Sequence, residues 1–181
     1  MNPEDILQLF HEYLIANNAM PTVENDPRIT YEGAYSPGKN TIRLHPRTGQ
    51  ETVTHEMTHA VQQALLKQFF NSADPQFKEM WKQQDPKGTV ERLAPGTVGK
   101  MQDGKDWDKY RVTDEELQAF GTELAVHNYP TAARMPSHVD PTIATELMLL
   151  VDTALRSTKN DRYFKHKMGK EYERQNKEQS K

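Results

Sequence analysis

His55-Glu56-Met57-Thr58-His59 is the stretch on which the reading of this chain turns. It spells H-E-x-x-H. On a helix, residues four apart stand one turn above each other, so His55 and His59 can grip one metal ion together. Glu56 points to the side of that pair, where it can take a proton from a water polarised by the metal. Three fixed letters in five also arise by chance, so the neighbouring sequence has to carry the reading. The plain alternative is two surface histidines on an amphipathic helix.

Downstream and upstream residues predict that helix over 49–70. Thr48 and Glu51 have capping-box spacing, and Pro46 and Gly49 supply the turn before it. Val53, Met57, Ala60, Val61, Ala64 and Leu65 recur at helical spacing. At about 100° per residue they form one apolar face roughly opposite His55 and His59. The expectation is a helix that presses this face into a core and presents its imidazoles elsewhere.

Before the helix, Ala34-Tyr35-Ser36, Pro37-Gly38-Lys39-Asn40 and Thr41-Ile42-Arg43-Leu44-His45 read as strand, turn, strand. Arg28-Ile29-Thr30-Tyr31 reads as a further short strand, and 18–47 as the β part of the chain. A strand, a short loop and an H-E-x-x-H helix together resemble the zincin fold. The chain is thus similar to a small zincin-like metallopeptidase over roughly residues 28–66 and 113–127. The resemblance implies an α+β fold, with a small β-hairpin or sheet beside an active-site helix and several packed helices. It also implies a strand along the metal site whose free edge can pair with an extended peptide.

A catalytic zinc usually has three protein ligands and one open position. Metzincins would supply a Gly and a His where this chain has Gln62 and Leu65, so that subclass does not match. The chain has no cysteine, which removes thiolate ligands. The pattern left is the gluzincin one, with a Glu from a later helix. Thr113-Asp114-Glu115-Glu116-Leu117-Gln118-Ala119-Phe120 looks like that helix, and Glu116 with a small Ala119 three residues on matches the family. Glu115 and Glu123 are alternative ligands. Glu116 also has capping-box spacing from Thr113, a structural reason to stand where it does.

The resemblance implies zinc-dependent hydrolysis of a peptide bond, with Zn2+ on His55, His59 and Glu116 and with Glu56 as general base. It further implies a donor for the tetrahedral oxyanion. Tyr110, just before the Glu116 helix, is the candidate. His127 is a second, and it also reads as a helix C-terminal charge stabilised by the dipole. His45 and His138 read as solvated loop residues.

With 181 residues, 35% of them hydrophobic, the chain is long enough for one domain with a real core. We read 1–155 as that domain and 71–112 as an irregular insertion within it. Pro3 opens a first helix in which Ile6, Leu9, Phe10, Tyr13 and Leu14 keep helical spacing. Asp74-Pro75 starts a short helix through Trp81. Asp85-Pro86-Lys87-Gly88, Pro95-Gly96, Gly99 and Asp103-Gly104 then read as turn chemistry, a lid over the cleft or a surface excursion. Asp140-Pro141 opens a helix whose Ile143, Leu147, Leu150, Val151 and Leu155 form a core stripe. In that helix Glu146 has the chemistry to orient a ligand histidine.

Residues 156–181 carry nine Lys or Arg against four Asp or Glu, while the whole chain is −3. A basic tail with aromatics can touch nucleic acid, but more often it is a solvated helix end, and no nucleic-acid motif accompanies it. No apolar run near 18 residues and no signal-like N-terminus is present, so the expectation is a cytoplasmic or otherwise soluble protein, free or incorporated into a particle, without a membrane partner. The expected partner is a polypeptide substrate. Two rival functions share these motifs: a non-proteolytic zinc-binding component of a larger assembly, and a hydrolase of a non-peptide amide. An intact Glu56 argues against the first, since a purely structural site has no use for a base.

Overall fold

A computed structural model describes residues 3–71, 85–105, 109–110 and 113–127. Helix α1 spans Pro3–Ala16. Its Leu9, Phe10, Tyr13 and Leu14 are all buried, as their spacing predicts. The helix closes on Asn18, which sits in the left-handed region at φ 51. Ala19 N–H reaches back to the Leu14 carbonyl at 2.8 Å, a Schellman-type end that Asn tolerates better than most residues.

Three strands follow: β1 at Thr22–Asn25, β2 at Gly33–Ser36 and β3 at Thr41–Leu44. They form one sheet in the order β1-β3-β2, with β1 parallel and β2 antiparallel to β3. The β2–β3 hairpin is the predicted one, and Ile42 and Leu44 turn inward together as their alternation requires. Asn40, at φ 47, closes it. Its side-chain amide donates to the carbonyls of Ala19 and Met20 at 3.0 and 3.2 Å, and its oxygen accepts from the Tyr35 hydroxyl at 2.8 Å. One turn residue thus pins the hairpin to the end of α1.

The expected strand at 28–31 is not formed. Asp26 accepts from the Arg28 backbone at 3.0 Å and from its guanidinium at 2.9 Å, and this Asx-type turn commits the segment to a bend. The third strand is β1 instead. All four of its residues are exposed, so no apolar alternation marks it.

Helix α2 spans Gln50–Asn71, close to the predicted limits. The Thr48 hydroxyl donates to the Glu32 carbonyl at 2.6 Å, tying the helix start to the loop before β2, while Glu51 folds back over Gly49. The single apolar face expected for α2 is a correction. Ala60, Val61 and Leu65 do pack on α1. But Thr52, Thr54, His55, Glu56, Thr58 and Gln62 are buried as well, and Met57 is only partly so. The reason is position: α2 lies between α1, the sheet and a long partner helix, so several of its faces are covered.

Two helices stand where turn chemistry alone was expected, α3 at Pro86–Leu93 and α4 at Thr97–Gln102. Asp85 accepts from the Gly88 backbone at 3.0 Å and Pro86 occupies the first turn, a strong start signal in place of a loop. Between them Gly96 takes φ 85, which an L side chain would resist, and its N–H donates to Glu91 at 2.6 Å. Helix α5, Asp114–His127, packs along α2 and completes the α+β core. The helices expected at 74–81 and 141–155, with Glu146, together with His138 and the basic tail at 156–181, lie outside the described residues. Among the described residues no helix is long and apolar enough to cross a membrane.

Candidate metal centre

His55, His59 and Glu116 meet where α2 and α5 face each other. Their ligand atoms all lie within 4.8 Å of one another. His55 Nε2 and His59 Nε2 are 3.2 Å apart, and each is 3.0 Å from a Glu116 carboxylate oxygen. Ala119, one turn beyond Glu116, is fully buried, so the small side chain lies at the helix contact as the sequence suggested.

The outer ring nitrogens fix what the inner ones can do. Gln62 Nε2 donates to the Glu115 backbone carbonyl at 3.0 Å and to Gln118 Oε1 at 2.9 Å. Gln62 Oε1 therefore faces His59 Nδ1, 2.8 Å away, and accepts its hydrogen. Glu123 likewise accepts from His55 Nδ1 at 3.1 Å. Both Nε2 atoms then offer lone pairs to one point that a carboxylate also faces. Such an arrangement needs a cation, either a proton on one imidazole or a metal ion. A tetrahedral zinc with bonds of ~2.0–2.2 Å would hold its ligand atoms about 3.3–3.6 Å apart, slightly wider than the separations here, so the donor set fits a metal of this kind.

With no metal bound, a proton would fill that role. Burial lowers the basicity of His55, but hydrogen bonds to Glu116 and Glu123 outweigh it and carry its pKa up to about 9. Burial also works against the Glu116 charge, yet the two histidines hold this carboxyl well below the usual range. Glu123 is pushed upward by burial, against the pull of His55. Phe120 completes the His55 environment, with its ring centre 4.4 Å from the imidazole.

Glu56 is buried beside the trio, and burial raises its pKa against the nearby imidazoles. A carboxylate lifted this way is a better proton acceptor. The Tyr110 hydroxyl donates to Glu116 Oε1 at 2.5 Å, and burial followed by this bond pushes the phenol well above its ordinary range. Gly33 lets β2 close on α2: a Cβ there would lie 2.9 Å from Thr52 Cγ2 and 3.0 Å from Leu44 Cδ2. Glu56, Tyr110, Glu116, Gly33 and Ala34 border two cavities of about 550 and 530 Å³.

The structure thus brings His55, Glu56, His59, Glu116 and Tyr110 together. Of the alternative ligands, Glu115 turns its side chain to solvent and gives only its carbonyl to Gln62, and Glu123 stands behind His55. His127 is elsewhere, 2.7 Å from the Thr54 hydroxyl, and so lacks the oxyanion geometry considered for it. His45 accepts from the Arg47 backbone at 3.2 Å, within a turn. Sequence reading missed the part played by Gln62. Its place one turn after His59 was a usable signal, as was the two-turn spacing of Glu123 from Glu116.

Compared with protein-family models, with curated proteins and with solved structures, the chain gave no match.

Proposed function

We propose that this protein is a zinc-dependent metallopeptidase of gluzincin type, an endopeptidase, with Zn2+ held by His55, His59 and Glu116. The observation that carries the reading is the convergence of two imidazole Nε2 atoms and one carboxylate, with a separate buried carboxylate, Glu56, in the same cleft. A capping residue alone would have no reason to face two lone pairs, which favours Glu116 as ligand over cap.

The bound zinc would supply a Lewis acid that makes water acidic near neutral pH and polarises a carbonyl. Glu56 takes the water's proton and later passes it to the leaving amine. Tyr110, whose hydroxyl donates to Glu116, is the donor that would turn toward the developing oxyanion. β2 is an edge strand beside the cleft, and an extended peptide adding to it would compete with Glu56 for the Tyr35 N–H. The cleft continues on both sides of Glu56, which suits an internal segment of a chain rather than a terminus.

The test is metal analysis of the purified protein together with cleavage of a peptide library, with Glu56→Gln as control. We expect one zinc per chain in both proteins, and cleavage lower by roughly 10²–10⁴-fold in the variant. Zinc at unit stoichiometry without Glu56-dependent cleavage would favour a non-proteolytic component of an assembly. Cleavage only of small amides would favour the non-peptide hydrolase. Absence of metal would remove the whole reading.

A further inference from the structure

We propose that the Tyr35 main-chain N–H is a latch on Glu56: it holds the carboxylate against β2 until an extended peptide pairs with that strand and takes the N–H for itself. This deepens the peptidase reading and rests on it. It gives β2 a part in freeing the base as well as in seating the substrate.

Register places the contact. Glu32 gives its carbonyl to the His45 N–H at 2.9 Å, and β2 continues antiparallel to β3 with Ala34 opposite Arg43 and Ser36 opposite Thr41. Backbone groups alternate in direction along a strand. Residues 32, 34 and 36 therefore turn theirs to β3, while Gly33 and Tyr35 turn theirs to the outer edge. At that edge the Glu56 side chain, reaching over from α2, accepts from the Tyr35 N–H. Glu56 and Tyr35 line the same cavity of about 550 Å³, which Gly33, Ala34, His59 and Glu116 also border. The bond thus lies across the path of any peptide that extends the sheet into the cleft.

Two acceptors then compete for one donor. A carboxylate tied to a backbone N–H is fixed in place and has one lone pair fewer for a water proton. A single peptide carbonyl is the poorer partner for that N–H, because it carries no full charge. An extended segment brings more. Its residue opposite Tyr35 accepts from the Tyr35 N–H and donates to the Tyr35 carbonyl, and the same exchange repeats two residues away at Gly33. Glu56, displaced, still lies beside His59 and turns to the water it deprotonates. A short amide makes none of these strand bonds and leaves Glu56 held. The latch therefore favours polypeptide segments over small amides through kcat, not through KM alone.

Nitrogen-15 labelling of the seven tyrosines reads the latch without any activity. The Tyr35 amide is assigned by its loss in Tyr35→Phe. We expect its proton resonance to move upfield in Glu56→Ala, as loss of a charge-assisted bond requires. Kinetics of zinc-loaded protein read the release. The library peptide cut fastest is compared with its truncation to a blocked dipeptide around the same bond. We expect kcat to fall about tenfold or more on truncation. Tyr35→Pro removes the N–H at an outer edge, where proline is tolerated. At unchanged zinc content it should raise kcat on the dipeptide and lower it on the long peptide, whereas Tyr35→Ala keeps the N–H and the wild-type order. If Tyr35→Pro loses its zinc, the amide shift and the length dependence decide. An unmoved Tyr35 amide in Glu56→Ala overturns the latch, and a kcat independent of length overturns the release. An upfield move without cleavage of any peptide keeps the hold on Glu56 and removes the peptidase reading. Glu56-dependent cleavage with an unmoved amide does the reverse.

Discussion

At the scale of single residues, the centre is organised by what stands behind the two histidines. Glu123 and Gln62 each hold one imidazole by Nδ1, which fixes the tautomer and aims Nε2 inward. Outer partners of this kind typically contribute 10–100-fold to metal affinity. Glu123→Ala should therefore weaken zinc binding by about that factor while stoichiometry is kept, measured by competition with a chromogenic chelator. Glu116→Ala should lose far more, and Glu115→Ala should lose nothing. Full zinc affinity in Glu116→Ala would return the ligand role to another carboxylate.

The same residues set a pH dependence of two opposite signs. In metal-free protein His55 titrates at about 9 against 6.5 for a free imidazole, so its contribution to stability is fully present below 6.5 and lost as pH rises through 9. Glu116 is depressed below 4.5, so its contribution is present above 4.5 and lost as pH falls toward the lowered value. Without zinc, the centre would therefore support the fold best between 4.5 and 6.5. Zinc must displace the His55 proton, and below its pKa each pH unit costs about tenfold in apparent affinity. The rise in Tm on adding zinc should be larger at about pH 8 than at about pH 6, by differential scanning fluorimetry. A rise of equal size at both would mean that no such proton is displaced.

At the scale of elements, the readable parts were those with local signals. The hairpin followed from Pro37-Gly38-Lys39-Asn40 and the alternation of Ile42 with Leu44, and α1 from the spacing of Leu9, Phe10, Tyr13 and Leu14. Helix α2 was legible in extent but not in surroundings. This helix is covered on several sides and buries polar residues, and while Thr58 bonds back to the Thr54 carbonyl one turn earlier, others are satisfied by partners that only the fold brings near, as Gln62 is by Glu115 and Gln118. Strand β1 was illegible because Val23 is exposed and nothing in Thr22–Asn25 alternates. The contact of β2 with α2 depends on Gly33, whose missing side chain leaves room for Thr52 and Leu44. Gly33→Ala should cost about 1–3 kcal/mol by urea denaturation, with reduced zinc affinity because His55 and His59 lie on the displaced helix. An unchanged denaturation midpoint would show that Thr52 gives way freely.

At the scale of the whole molecule, the centre joins two helices separated by residues 72–113, so any ion placed there also clamps the fold. Glu116 and Glu123 come from α5 and both histidines from α2. Without the ion, the clamp is one shared proton among carboxylates at a buried site, which is weaker and pH-dependent. A ligand bound only by the folded state stabilises it by RT ln(1 + [L]/Kd), about 4 kcal/mol at a thousandfold excess over Kd. For a chain of this size, each kcal/mol moves Tm by roughly 2–4 °C. Zinc in such excess should therefore raise Tm by about 8–16 °C over chelated protein, reversibly. The gain should be nearly absent in Glu116→Ala yet retained in Glu56→Gln, since Glu56 lies beside the ion without holding it. A gain that survives Glu116→Ala would place the bound zinc somewhere other than the α2–α5 contact, and a gain lost in Glu56→Gln would make Glu56 a ligand rather than a base.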